Sequence, residues 1–247
     1  MLSIILPCYN EQDNLEFLFN SLDPVAAAHQ DLEIILVNNG STDNSLTVFE
    51  QEIAKRNSAI FKVVTVEKNI GYGYGILTGL RAAKGDILSV THADRQTDPM
   101  DVLKALDLFH KNLHSETSEG SLLVKGYRKN RRPMEAFFSW GMGFLSSIAL
   151  GTRLTEINAQ PKLFSKSFFD NIEKDAPHDF SLDLYFLYHA KKQGRIIDFP
   201  VYFAKRVAGE AKGGSGSSWK VRWKLMKRIF KYIFELRNKM KISRKAR

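Results

Sequence analysis

The chain has 247 residues, 44% of them hydrophobic, and a formal charge of +9, enough for one α/β core and a tail. Its one cysteine, Cys8, has no disulfide partner, there is no basic leader with a cleavage site, and no run of about 18 uncharged apolar residues occurs. Disulfide scaffolds, secretion and membrane spans are therefore not expected, and the sequence reads as cytosolic. The excess charge does not indicate a nucleic-acid-binding protein. Trp219 to Arg247 carries twelve Lys/Arg against Glu235, a net +11, which leaves −2 for the body, and no recognition motif is present.

In chain order, the apolar runs LSIILP (2–7), LEIILV (32–37), FKVVTVE (61–67) and GDILSVT (85–91) alternate with helix-compatible segments. This rhythm predicts a doubly wound, mostly parallel sheet covered by helices on both faces. Ligands in such sheets bind beyond the carboxyl ends of the strands. Attention therefore falls on CYNEQDN, NNGSTDNS, KNIGYGYG and HADRQTDP, the segments that follow the four runs.

The second half is less regular. GSLLVKGYRKNRR (120–132) reads as a strand entering a basic loop, 133–151 as a helix, INAQPKLF (157–164) as strand or extended chain, and 180–194 as a helix with Gly194 as its C-cap. RIIDFPVYFAKR (195–206) reads as an edge or terminal strand, since Pro200 removes a ladder donor, and 208–218 is a Gly/Ser-rich linker.

No GxxxxGK[ST] loop is present, and the Gly-rich segment follows the third strand rather than the first. A P-loop NTPase and a dinucleotide dehydrogenase are thus disfavoured. A diphosphate would then be held through a divalent cation shared with one or two carboxylates.

The ordered set LPCYNE (6–11), NNGSTD (38–43), NIGYGYG (69–75), HADRQTDP (92–99), GYRKNRR (126–132) and RVAGEAK (206–212) resembles the family-two inverting glycosyltransferases of GT-A fold, and within them the polyprenyl-phosphate sugar transferases. The likeness covers roughly residues 1–215, expected as the catalytic domain, with 216–247 as a basic tail. It implies a nucleotide-diphosphate-sugar donor, Mg²⁺ or Mn²⁺, and a polyprenyl phosphate acceptor. Pro7, Tyr9, Asn10 and Glu11 would line the base and ribose pocket, with Asn38 and Asn39 where the family often has an acidic pair. Asn69, Gly71, Gly75 and Ala93 complete the implied donor pocket; Asp43 is either a base contact or the cap of the next helix.

In the metal motif His92 stands where the family has its first Asp, while Asp94 and Gln96 keep their places. Asp94 is then the principal carboxylate. His92 either joins Asp94 and Gln96 on the metal, softening the site towards Mn²⁺, or hydrogen-bonds within the turn and leaves the metal to Asp94, Gln96, the diphosphate and water. Asp98 reads as the cap of the following helix. Arg128 and Arg131 would bind the acceptor phosphate through their planar forks, and Arg206 and Lys212 would close over the diphosphate. Gln160 and Lys162 would lie near the donor sugar or acceptor phosphate.

A lipid phosphate is already an anion and needs no base. A hydroxyl acceptor would need one, with Asp179 or Asp183 as candidates. In the tail, basic residues recur on one side of a helical pattern and Trp223, Met226, Phe230 and Ile233, with Leu225, Ile229 and Leu236, on the other, the pattern of a helix lying on an anionic membrane. These features predict an enzyme at the cytoplasmic face of a membrane. The rival readings are a transferase acting on a glycan hydroxyl, and a non-catalytic membrane-associated or nucleic-acid-binding protein.

Overall fold

The computed structural model describes residues 1–113, 120–130, 133–204, 227–228 and 231–237. In chain order the elements are β1 (Leu2–Cys8), α1 (Gln12–Ala28), β2 (Leu32–Asn39), α2 (Ser45–Arg56), β3 (Phe61–Val66), α3 (Tyr72–Ala82), β4 (Ile87–Val90) and α4 (Asp101–Leu113). They continue with β5 (Ser121–Lys129), α5 (Pro133–Leu150), β6 (Lys162–Ser165), α6 (Lys166–Ile172), α7 (Leu182–Gln193) and β7 (Gly194–Tyr202). The strands form one sheet in the order β3-β2-β1-β4-β6-β5-β7.

Side-chain parity along the parallel strands divides the core in two, because successive residues of a strand point to opposite faces. Ile4, Leu6, Ile34 and Leu36 join α1, α2 and α4 in one apolar cluster. On the other face Ile5, Ile35 and Val37 pack with α3, α6 and α7. Every residue of β2 is buried, as expected for a strand covered on both sides.

From β1 the chain winds outwards to β2 and β3, then returns to place β4 on the other side of β1. This reversal opens a crevice at the carboxyl ends of β1 and β4, the ligand position in open α/β sheets. β6 runs antiparallel between β4 and β5, with Lys162 opposite both Val90 and Lys125. Its antiparallel course brings the start of β6, and so Gln160 and Lys162, to the end of β4. The sequence pattern did not reveal that reversal. β7 pairs in parallel with β5 at the sheet edge, and Pro200 sits there as expected. Gly194 is the C-cap of α7, as expected, and also opens β7 directly.

Part of the tail is described. Residues 227–228 and 231–237 are helical, and Ile233 and Leu236 are buried in the cluster that holds α3, α6 and α7, with Tyr232 packed beside them. These two apolar side chains, which the sequence pattern assigned to a membrane surface, are instead covered by the body. Phe234 remains exposed, and Trp223, Leu225, Met226, Ile229 and Phe230 lie outside the described residues.

Candidate active site

The loops after β1 and β2 are fastened to each other. Asn10, at φ 51°, accepts from the Thr42 amide at 2.7 Å, while its own amide donates to Ser41 Oγ at 3.0 Å. Asp43 accepts from the amides of Gln12 and Ser45 at 3.3 and 3.0 Å, serving the first turns of α1 and α2 together. Asp43 stands one residue before Asn44, the N-cap of α2. Asn38, buried, accepts from the Ser41 amide at 3.2 Å and holds its turn. Pro7 is the partly buried residue of β1, and Tyr9 and Glu11 are partly buried just beyond it.

Packing explains the glycine-rich segment. Asn39 Nδ2 donates to the Gly71 carbonyl at 3.1 Å, and Asn69 Oδ1 accepts from the Gly71 amide at 3.0 Å. Gly71 has φ +146°, a backbone state disfavoured for other residues, and a Cβ there would strike the His178 carbonyl. At Gly75 a Cβ would lie 2.7 Å from Asn39 Cγ. Both glycines let the start of α3 approach its neighbours closely.

After β4 comes the proposed metal loop. Asp94 Oδ1 accepts from the Gln96 amide at 3.1 Å, in a turn carried by Arg95 at φ 59°. Asp98 accepts from the Met100 amide at 2.9 Å and caps the approach to α4, as expected. Gln96 is tied across to the end of β7, its carbonyl accepting from the Ala204 amide at 2.8 Å and its Nε2 donating to the Ala204 carbonyl at 3.4 Å. Burial pushes the His92 imidazole below its usual pKa of 6.5, against the pull of Asp94 and Asp183, so it is neutral at pH 7. A neutral imidazole beside one carboxylate is chemically suited to a divalent cation. Among the described residues no group of three His, Cys, Asp or Glu side chains is placed to hold a metal, so a cation here would need oxygen ligands from a bound molecule.

A buried polar cluster faces this loop. Lys162 Nζ lies 2.6 Å from Asp183 Oδ1 and donates to the Ala159 carbonyl at 2.9 Å; Gln160 Nε2 donates to the same Asp183 oxygen at 3.1 Å. Lys162 is fully buried, and burial lowers its pKa from 10.5 to about 8 despite Asp183. Arg128, nearly buried, donates from Nε to Glu156 Oε2 at 2.8 Å and lies over the Phe203 ring, 5.4 Å from its centroid. Asp179 accepts from the Ser181 amide at 2.9 Å and lies 3.7 Å from Arg228. Both candidate bases are therefore engaged, Asp183 with Lys162 and Gln160 and Asp179 with the start of α7. Arg131, Arg206 and Lys212 lie outside the described residues.

Three contributors escaped the sequence analysis. Asn14, buried in α1, donates to the Ala93 carbonyl at 2.9 Å and fastens the metal loop to the first helix. Its signal was a polar residue on the apolar face beside Leu15 and Leu18. Tyr72 is stacked on Phe180 at 4.7 Å, and burial near Asp183 raises its hydroxyl pKa well above 10. Glu156 pins Arg128 from 28 residues away, a pairing with no local signature.

The family model "Glycosyl transferase family 2" matches residues 3–170. Dolichol-phosphate mannosyltransferase of Pyrococcus furiosus is 28% identical over 214 residues, covering 85% of this chain and 58% of that protein. Dodecaprenyl-phosphate galacturonate synthase of Rhizobium johnstonii is 27% identical over 179 residues, 70% of this chain and 50% of that protein. The chain thus spans about half the length of these curated relatives. Glucosyl-3-phosphoglycerate synthase of Mycobacterium tuberculosis, solved in complex with Mn²⁺, UDP and phosphoglyceric acid, superposes with TM-score 0.71 at 18% identity, covering 96% of this chain and 78% of that one. That last likeness establishes the shared GT-A fold. With the family model matching well over half of its residues, the chain belongs to glycosyl transferase family 2.

Proposed function

We propose that this glycosyltransferase moves a sugar from a nucleotide diphosphate to a polyprenyl phosphate. The observation that supports the reading is that both candidate bases are engaged. Lys162 holds Asp183 and the Ser181 amide donates to Asp179, while Arg128, held by Glu156, stands on the crevice side of the sheet. A hydroxyl acceptor needs a base, whereas a phosphate monoester arrives as an anion and needs cations to orient it. The names of the curated relatives, which act on dolichol and dodecaprenyl phosphates, support the same acceptor.

A phosphate oxygen of the acceptor attacks the anomeric carbon as the bond from that carbon to the donor diphosphate breaks, and the leaving diphosphate takes the electron pair. Asp94 and His92 would hold a divalent cation, Mg²⁺ or Mn²⁺, which offsets charge on the diphosphate. Asn14 and Gln96 keep the loop that carries Asp94 in place. Arg128, pinned by Glu156, orients the acceptor phosphate. The donor base and ribose would lie against Pro7, Tyr9, Asn10, Glu11, Asn38 and Asn39.

Incubation with labelled nucleotide sugars and Mn²⁺, with and without a polyprenyl phosphate, tests the reading. Chloroform-extractable label should appear only with the lipid phosphate and fall at least a hundredfold in Asp94→Ala. Label on a glycan hydroxyl alone would defeat the acceptor assignment, and full activity in Asp94→Ala would defeat the metal assignment.

A further inference from the structure

Beside the crevice, a cavity of about 250 Å³ opens between β5, β7, α7 and the segment after α5. Lys125 lines it from β5 and is only 1% exposed, while Arg153, Lys191 and Asp198 line it as exposed residues. Lys125 and Asp198 face each other across β5 and β7, with Nζ 2.9 Å from Oδ1. That contact is not aligned as a hydrogen bond, so the buried ammonium keeps its donors without an aligned acceptor among the described residues. Such a group is costly to bury unless something else accepts from it. Arg153 and Lys191 make no side-chain ion pair among the described residues, so both are free to meet a ligand.

Charge and size narrow the choice of ligand. Three basic side chains against one carboxylate leave a surplus of two positive charges, which a phosphate monoester dianion neutralises. Leu154, Leu187 and Ile196 add apolar wall, which suits a small carbon skeleton attached to the phosphate. At roughly 30 Å³ per water the cavity of about 250 Å³ equals about eight water volumes, below the ~300–1,000 Å³ usual for drug-sized ligands. A phosphate bearing a few carbons fits that space. The cavity is also separate from the residues assigned above to donor and acceptor, since none of Asp94, Arg128, Gln160 and Lys162 lines it. Leu187 and Lys191 follow Asp183 by one and two turns of α7, which puts Lys191 about 12 Å further along the helix.

We propose that this cavity is a binding site for a small phosphate monoester, distinct from the donor and acceptor sites, with Lys125, Arg153 and Lys191 holding the phosphate. The test is calorimetric titration of the full chain with glycerol phosphate and with inorganic phosphate, in chelator and at about 0.15 M salt, where exposed charges are largely screened. An Arg128→Ala background removes the guanidinium assigned to the acceptor phosphate. Glycerol phosphate should still saturate one site per chain there, more tightly than inorganic phosphate. Adding Arg153→Gln/Lys191→Gln should weaken it at least tenfold, about 1.4 kcal/mol. Lys84→Gln/Lys174→Gln, which removes the same charge from exposed positions elsewhere, should change affinity less than twofold. In the unsubstituted chain, glycerol phosphate should protect Lys191 from acetylation and leave Lys192, which lies over the Tyr188 ring, reactive. Unchanged affinity in Arg153→Gln/Lys191→Gln, an equal loss in Lys84→Gln/Lys174→Gln, or no protection of Lys191 would each overturn the proposal. Displacement of glycerol phosphate by a short-chain polyprenyl phosphate would make the cavity part of the acceptor site and overturn it too. Sugar transfer is not needed for any of these readouts, so the proposed function and this site fail separately.

Discussion

Replacing Asp183 with alanine strands the Lys162 ammonium. In the wild type that amine is fully buried, 2.6 Å from Asp183 and 2.9 Å from the Ala159 carbonyl. Its pKa, lowered from 10.5 to about 8 even with the carboxylate beside it, corresponds to about 3 kcal/mol of desolvation that the pair does not recover. Without Asp183 the charge has only a carbonyl for company, and breaking a buried pair from one side generally destabilises by ~3–5 kcal/mol. Gln160 Nε2 loses its acceptor as well. Urea unfolding at pH 7 should therefore show Asp183→Ala about 3 kcal/mol less stable, and Asp183→Ala/Lys162→Met should recover at least half of the deficit by removing both charges. The pH dependence follows from the direction of the shift. Because the folded pKa lies below the unfolded one, this lysine's contribution to stability improves as pH rises from about 8 towards 10.5, and in the variant that gain begins at lower pH. Above about pH 8 the amine is neutral in both proteins, so the deficit should narrow as pH rises towards about 8 and stay level beyond it. A deficit under ~1 kcal/mol at pH 7, or one that does not change with pH, would refute the account of this cluster.

Arg128→Lys keeps the charge but loses the planar fork, so the acceptor KM should rise roughly tenfold, about 1.4 kcal/mol, with a smaller change in kcat; an unchanged KM removes Arg128 from the acceptor site. Gly75→Ala would set a Cβ 2.7 Å from Asn39 Cγ, and thermal unfolding should show a loss of ~1–3 kcal/mol as Asn39 is pushed off the Gly71 carbonyl. Wild-type stability in that variant would mean that Asn39 moves aside without cost.

The first hundred residues were the most legible part of the molecule. Strands β1 to β4 fall in the apolar runs and the loops after them converge, because parallel strands buried on both faces leave near-continuous apolar segments punctuated by polar turns. Asp94, Asp98, Arg128 and Lys162 stand out as candidates in the sequence alone. Their partners were not: Glu156 reaches Arg128 from 28 residues away and Asp183 reaches Lys162 from 21, and pairings across such distances leave no periodic mark.

For the tail and α5, periodicity showed amphipathic character but not direction. In 231–237 Ile233 and Leu236 face the body, while α5 turns its aromatics outwards and its small residues in. The sequence by itself determined the parallel sheet, its family and the crevice that holds Asp94, because local patterns and ordered motifs carry that information. Only the tertiary structure decided that β6 runs backwards to deliver Lys162, that Asp183 is bound to it, and that the exposed apolar face belongs to α5. Each of those outcomes depends on which surfaces remain uncovered after the rest of the chain has packed.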